Sequence, residues 1–196
     1  MANVRTNRIM KDLQEFMNTS LDSGVLLTDY DEVELKHFTV SVAGPVGSPY
    51  ETGTFDVKIM LPMSFPFRGP KAKFVTQVWH PNVGAATGNV CVDILTNWRA
   101  GTRLAQLAEV VQGLLSLPNP TSPLNSDASV ELEENPREFE RTATMWTCVF
   151  AGGSKPRPDE LQVKVLSVQE QLQCSEEQAV KKLSFARWNG PVNPHV

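Results

Sequence analysis

The sequence places Cys91 nine residues after the tripeptide His80-Pro81-Asn82. A thiolate is both a good nucleophile and a good leaving group, so a cysteine can take up an acyl group and release it again. A carboxamide such as that of Asn82 offers two N–H donors and no acid or base chemistry. Held near an acyl carbon, such a donor stabilises the oxyanion of a tetrahedral intermediate by about 3 kcal/mol. His80, directly before a proline, reads as the brace of a turn. No Asp or Glu of the segment is positioned to orient it, which argues against a Cys-His hydrolase pair. The lack of an activated base also suits a carrier, because activated water would hydrolyse a thioester cargo. Cys148, on the apolar side of a helical pattern, and Cys174 read as small buried hydrophobes. His37 and His195 are assigned no role.

The bulk composition narrows the setting. The chain has 196 residues, 41% hydrophobic and 20% charged, enough for a core that folds without disulfides or metals. A net charge of −4 gives no reason to expect a nucleic acid or a membrane as partner. Three widely spaced cysteines form neither a disulfide framework nor a zinc site. The first thirteen residues mix charge with apolar side chains and do not read as a signal peptide. A soluble protein of a reducing compartment is expected, cytoplasmic or also nuclear, with no metal and no organic cofactor.

The elements that must hold Cys91 and Asn82 can be read from periodicity. Ile9, Leu13 and Phe16 recur at helical spacing, with Arg5, Arg8, Lys11, Asp12 and Glu15 on the other sides. Glu32–Val42 is rich in branched and aromatic residues and predicts a strand. Thr54–Leu61 alternates Phe55, Val57, Ile59 and Leu61 with polar residues and predicts a second, in an antiparallel meander. Ala72–Val78 predicts a third. From Trp79 to Gly101, Pro81, Gly84, Gly88 and Gly101 interrupt every period, yet the apolar content argues against disorder. A long irregular stretch of that kind inside a compact domain is usually functional.

Helices follow. Leu104, Leu107, Val111, Leu114 and Leu115 form one stripe, ended by Pro118 and Pro120. Asn135-Pro136 opens another with an N-cap and a first-turn proline, its stripe being Phe139, Ala143, Trp146 and Phe150. The acidic run Glu131, Glu133 and Glu134 reads as a solvated face. Gly152–Pro158 reads as a linker. Beyond it, Leu161, Val165 and Val168 share one face. Ser175–Gln178 is a capping box opening a short helix with Ala179 and Leu183 inward. Trp188–Val196, with two prolines, is a poor helix candidate.

The ordered series Phe65-Pro66-Phe67, Pro70-Lys71, Phe74-Val75-Thr76, Trp79-His80-Pro81-Asn82 and Gly88-Asn89-Val90-Cys91-Val92-Asp93-Ile94-Leu95 resembles the core of ubiquitin-conjugating enzymes. The resemblance runs from Asn7-Arg8-Ile9 to Trp146 and Ala151. It implies an α+β fold: an N-terminal helix, a four-stranded antiparallel meander, a long active-site segment and C-terminal helices. It implies that Cys91 accepts ubiquitin from the activating enzyme, which consumes the ATP, and passes it to a lysine of a protein substrate or of ubiquitin, usually with a ligase. Asn82 then stabilises the oxyanion or holds the active-site loop, and both roles stand at this point. His80 and Pro81 are structural. Arg8, Lys11, Phe65, Pro66 and Trp98 match the surface for the activating enzyme and ligases, with loop packing an equal alternative for Phe65 and Pro66. The same chemistry with another ubiquitin-like modifier is one alternative function. A silent adaptor that binds ubiquitin or a ligase is another, disfavoured by retention of Cys91.

Three positions depart from the family pattern. Ser122, before Pro123, stands where an acidic residue often orients the incoming lysine. The family's Trp-x-Pro is Trp98-Arg99-Ala100, a change that bears on ligase choice. The acidic run before Asn135 is the third. The tail resembles a ubiquitin-associated (UBA) domain: Ser175-Glu176-Glu177-Gln178-Ala179 and Leu183 match its second helix, whereas Leu172-Gln173-Cys174 loses the glycine turn. The expected division is a core over 1–151, a linker over 152–158 and a degenerate UBA-like helical module over 159–196, for which ubiquitin binding is not expected.

Overall fold

The computed structural model describes residues 2–18, 24–90 and 98–189. Helix α1 (Ala2–Met17) buries Ile9, Leu13 and Phe16, the stripe set by their spacing, and the Phe16 ring meets Phe38 at 5.7 Å between centroids. Four strands follow as an antiparallel meander in sequence order: β1 (Val25–Tyr30), β2 (His37–Ala43), β3 (Thr54–Met60) and β4 (Lys71–Phe74). Phe38, Val40 and Val42 of β2 pair with Ile59, Val57 and Phe55 of β3, and all six side chains are fully buried. Successive strand residues face opposite sides, so this register puts every apolar side chain of the pair on the core face. Helices α1 and α2 (Leu104–Ser116) pack on the sheet, α2 through Leu104, Ala108, Val111 and Leu115.

Two strand expectations are corrected. The strand predicted over Glu32–Val42 starts only at His37, because the Asp31 carboxylate accepts the N–H groups of Val33 and Glu34 at 3.1 and 2.9 Å. That local turn competes with the ladder, and Leu35 takes a left-handed φ of 51° within it. The strand predicted over Ala72–Val78 ends at Phe74, where Val75 and Thr76 both donate to the Asp56 carbonyl. Strand β1 has no clean alternation, and only the family resemblance anticipated it.

Helix α3 (Ser126–Glu134) was hidden by the acidic run. Asn125 caps it, its side chain accepting from the Ala128 N–H at 3.2 Å. Glu133 and Glu134 are solvated, as expected, but Glu131 is 9% exposed. Helix α4 (Pro136–Phe150) starts as expected, with the Asn135 carboxamide accepting from the Glu138 N–H and proline in the first turn. It is buried on most sides because helices pack on it from both flanks, α3 from the core and α6 from the tail.

The tail forms α5 (Asp159–Leu172) and α6 (Glu176–Phe185). Ser175 and Gln178 make both bonds of the capping box. Between the helices Gln173 adopts a left-handed φ of 48° at the position where the UBA pattern carries its glycine turn. The backbone bend is therefore kept without the residue that makes it inexpensive. Residues 152–158 are pinned: Ser154 N donates to Thr52 Oγ1, Lys155 pairs with Glu51, and Arg157 pairs with Glu176. Leu161, Val165, Val180, Leu183 and Trp188 join the same hydrophobic cluster as the sheet. No helix of the described residues is long and apolar enough to cross a membrane.

Candidate active site

The turn at His80-Pro81-Asn82 is almost wholly buried, with His80 at 0% and Asn82 at 1% exposure. His80 Nε2 lies 3.1 Å from the Leu114 carbonyl, and its Nδ1 accepts the Asn82 backbone N–H at 3.0 Å. Those partners require a proton on Nε2 and a lone pair on Nδ1, which fixes the neutral tautomer. Burial pushes the imidazole pKa down to about 4, against the smaller opposing pull of the Leu114 carbonyl. His80 is thus a neutral brace at physiological pH, and both of its nitrogens are occupied.

Asn82 clamps this turn to the segment after α2. Its Oδ1 accepts the Asn119 N–H at 2.7 Å, and its Nδ2 donates to the Asn119 carbonyl at 2.6 Å and to the Ser122 carbonyl at 3.4 Å. The Pro81 carbonyl accepts from Leu124 N and Asn125 N, extending the clamp to the cap of α3. Ser122 therefore meets the site through its backbone, while its residue is only partly buried. These bonds tie both ends of the Asn82 carboxamide to the segment after α2. A role at an oxyanion would draw on the Nδ2 hydrogen that now makes the longer, weaker bond.

Beyond Asn82, Val83 pairs with Val90 in an isolated antiparallel bridge, and Lys73 pairs with Asn89. The segment read as irregular is thus stitched to the edge of the sheet at β4. Gly88 permits this: it holds a φ of +71°, and a Cβ there would stand 2.0 Å from the Phe74 carbonyl oxygen. Cys91, the residue after Val90, lies outside the described residues. Cys148 is buried, and burial raises its thiol pKa; Cys174 is partly buried.

The expected partner surface divides into packed and offered groups. The Phe65 ring is 2% exposed, packing at 5.5 Å between centroids on Trp98, whose Nε1 donates to the Pro66 carbonyl at 2.7 Å. Phe65 and Pro66 are both buried and present little area at the surface. Phe67 and Met63, 76% and 77% exposed, are the apolar side chains this loop offers. Arg8 forks between the Ala100 and Thr102 carbonyls at 2.5 and 2.6 Å and pairs with Asp12 at 3.0 Å, bracing the loop that carries Trp98. Lys11 and Arg99 are exposed.

Three residues of the site region have contacts that the sequence reading did not anticipate. Asn119 gives its backbone to the clamp. Trp79 donates from Nε1 to Glu131 Oε2 at 2.7 Å, and its carbonyl accepts from Tyr50 OH at 2.8 Å. Glu131 also accepts from Thr142 Oγ1 at 2.9 Å. The available signal for Glu131 was the Asn125 cap with Ala128 three residues before it on the same helical face.

A meander backed by α1 and α2, with a buried neutral His-Pro-Asn turn clamped to the segment after α2, defines a class: the ubiquitin-conjugating fold. A family model described as ubiquitin-conjugating enzyme matches residues 8–147, and the chain belongs to this family of ubiquitin transferases. It is 34% identical over 164 residues to human ubiquitin-conjugating enzyme E2 K, covering 81% of this chain and 80% of that one. It is 33% identical over 190 residues to Caenorhabditis elegans ubiquitin-conjugating enzyme E2 21, covering 96% of this chain and 88% of that one. Among solved structures, the E2 domain of a Toxoplasma gondii ubiquitin conjugating enzyme matches with a TM-score of 0.68 at 33% identity. That match covers 74% of this chain and 98% of the Toxoplasma chain.

Proposed function

We propose that this transferase carries ubiquitin as a thioester on Cys91 and delivers it to a lysine amine of a protein substrate or of ubiquitin, with a ligase. The Cys91 thiolate attacks the thioester carbonyl of the charged activating enzyme, whose own thiolate leaves. The lysine amine later attacks the new thioester, loses a proton to solvent or a partner, and Cys91 departs as thiolate. Each step conserves the acyl group, and neither needs a cofactor on this chain; the activating enzyme spends the ATP.

The observation that carries this reading is the neutral, doubly bonded state of His80 beside Asn82. It leaves that turn without a base to activate water, while the Asn82 carboxamide is held there with its longest bond, Nδ2 to the Ser122 carbonyl, as the one an oxyanion would replace. Ser122, with no carboxylate to orient the lysine, makes ligase assistance the expected route for discharge. Phe67, Met63, Lys11 and Arg99 form the face for the activating enzyme and ligases. The tail is read as a degenerate UBA-like module, and a cytoplasmic and nuclear setting suits these partners.

Incubation with activating enzyme, ATP and ubiquitin tests the reading. A reductant-sensitive adduct that disappears in Cys91→Ala supports it. Absence of an adduct with ubiquitin overturns it, leaving the adaptor or another modifier. Ser122→Asp should then speed discharge onto free lysine several-fold, and an unchanged rate would remove Ser122 as the limiting feature.

A further inference from the structure

The indole of Trp79, the residue immediately before His80, is held from three directions. Trp146 of α4 lies 5.3 Å from it between ring centroids, and Phe185 at the end of α6 lies 5.4 Å away in edge-on contact. Its Nε1 donates to Glu131 Oε2. The other oxygen of that carboxylate, Oε1, accepts from the Thr142 hydroxyl, and Thr142 Oγ1 in turn accepts from Trp188 Nε1 at 2.9 Å. Every donor in this chain points toward the one carboxylate, an arrangement in which neighbouring bonds polarise and strengthen one another in a low-dielectric interior. Trp188 is 2% exposed, and Trp146 Nε1 adds a bond to Ser184 Oγ of α6 at 2.8 Å.

We propose that Glu131 is a positioning residue for the active site, which joins the tail, through Trp188 and Thr142, to the Trp79 anchor of the His80–Asn82 turn. This rests on the function proposed above and deepens it. One carboxylate has one oxygen on the site side and one on the tail side, so loss of the tail-side bonds frees it to reorient away from Trp79. The Trp79 carbonyl is fixed by Tyr50 OH, and His80 Nδ1 holds the Asn82 N–H, so movement of the indole reaches the carboxamide within three residues. Phe185 provides a second, purely steric link from α6 to the same ring. The tail is therefore part of the machinery that holds Asn82 in register with its clamp. Burial raises the Glu131 pKa, and an unpaired carboxylate at this place would be costly, which supports a site built around its two donors, Trp79 and Thr142.

The test uses the full chain and four variants. Thr142→Val removes the hydroxyl and keeps the volume; Trp188→Phe keeps an aromatic ring and removes the donor; Glu131→Leu removes both acceptors. Glu131→Gln can accept from Trp79 through its carbonyl and donate to Thr142 through its amide, so it serves as the conservative rescue. In Thr142→Val and Trp188→Phe, discharge of charged ubiquitin onto free lysine should slow about ten-fold. The activating-enzyme concentration that half-saturates loading should stay unchanged, and Glu131→Gln should discharge near the wild-type rate while Glu131→Leu does not. The side-chain amide resonances of Asn82, followed by NMR without any ubiquitin, should move in the slow variants and not in Glu131→Gln. If Thr142→Val fails to fold, Trp188→Phe carries the same comparison. Folded variants with unmoved Asn82 resonances and wild-type discharge overturn the positioning role and leave the carrier reading intact. A wild-type chain that takes up no ubiquitin overturns the carrier reading, and the NMR comparison then decides the positioning role by itself.

Discussion

Two buried polar networks meet at Trp79 and His80, and they are built on opposite principles. The active-site turn is neutral: His80 and Asn82 bond to backbone groups of Leu114, Asn119 and Ser122. The junction between core and tail is ionisable: Glu131 gathers side chains from three segments, Trp79, Thr142 and, through it, Trp188. Backbone partners tolerate substitution around them, whereas a network of side chains depends on each residue type. The site is thus held by fixed main-chain groups. The tail is attached by a network that individual substitutions can cut.

The two networks should also respond to pH in opposite directions, which gives the largest expected effect. His80 has a folded pKa of about 4, below its unfolded value near 6.5, because burial disfavours its charge. The unfolded chain therefore binds the proton first, and stability is lost as pH falls through the window from about 6.5 to about 4. The loss reaches about 3 kcal/mol if the shift is fully expressed. Urea unfolding across that window checks the slope, and the His80 ring resonances should stay those of a neutral imidazole down to pH 5. Protonation near pH 6.5 in the folded protein would refute the neutral brace.

Removal of the Asn82 carboxamide breaks the neutral side of the comparison directly. Asn82→Ala removes two part-buried bonds, to the N–H and the carbonyl of Asn119, and should cost about 2 kcal/mol by chemical denaturation. Thioester formation on Cys91 should survive and discharge should fall strongly. A fully stable variant would mean that water replaces the clamp.

Glu131 supplies the reverse pH sign. Burial, with Glu138 nearby, lifts its folded pKa above the unfolded carboxyl value, against the pull of its donors and Arg187. The folded state then binds the proton more tightly, so stability declines as pH rises from the unfolded value through the raised one. Glu131→Gln should flatten that decline and gain stability near neutral pH relative to acid. An unchanged pH slope would show that the donors compensate fully for burial.

The smallest effect sits in the tail itself. Gln173→Gly should stabilise the helical tail by up to about 1 kcal/mol, because a left-handed φ costs a residue with a side chain and not glycine. A shift of thermal midpoint measures it, and destabilisation would indicate that the Gln173 side-chain bond to the Glu170 carbonyl outweighs the strain.

Much of the molecule was legible before any coordinates. Period-2 alternation in Thr54–Leu61 gave β3, the Asn135-Pro136 pair gave the start of α4, and Ser175–Gln178 gave the cap of α6, since each is a local interaction between residues close in the chain. The failures have local causes too. Asp31 diverted the chain before β2 by bonding its own neighbours, and α3 was masked because two of its three tested glutamates do face water. For the site, the ordered motifs named His80, Pro81, Asn82 and Cys91 and set Ser122 apart.

What the sequence determined by itself was the family and the order of most elements, α3 excepted, because those depend on ordered motifs, short spacings and strand or helix periods. Only the tertiary structure decided that His80 is neutral, that both ends of Asn82 are engaged, that Phe65 and Pro66 are buried and that Glu131 accepts from two donors, Trp79 and Thr142. Each of those properties depends on groups tens of residues apart along the chain and on the exclusion of water between them, and neither is written in any local pattern.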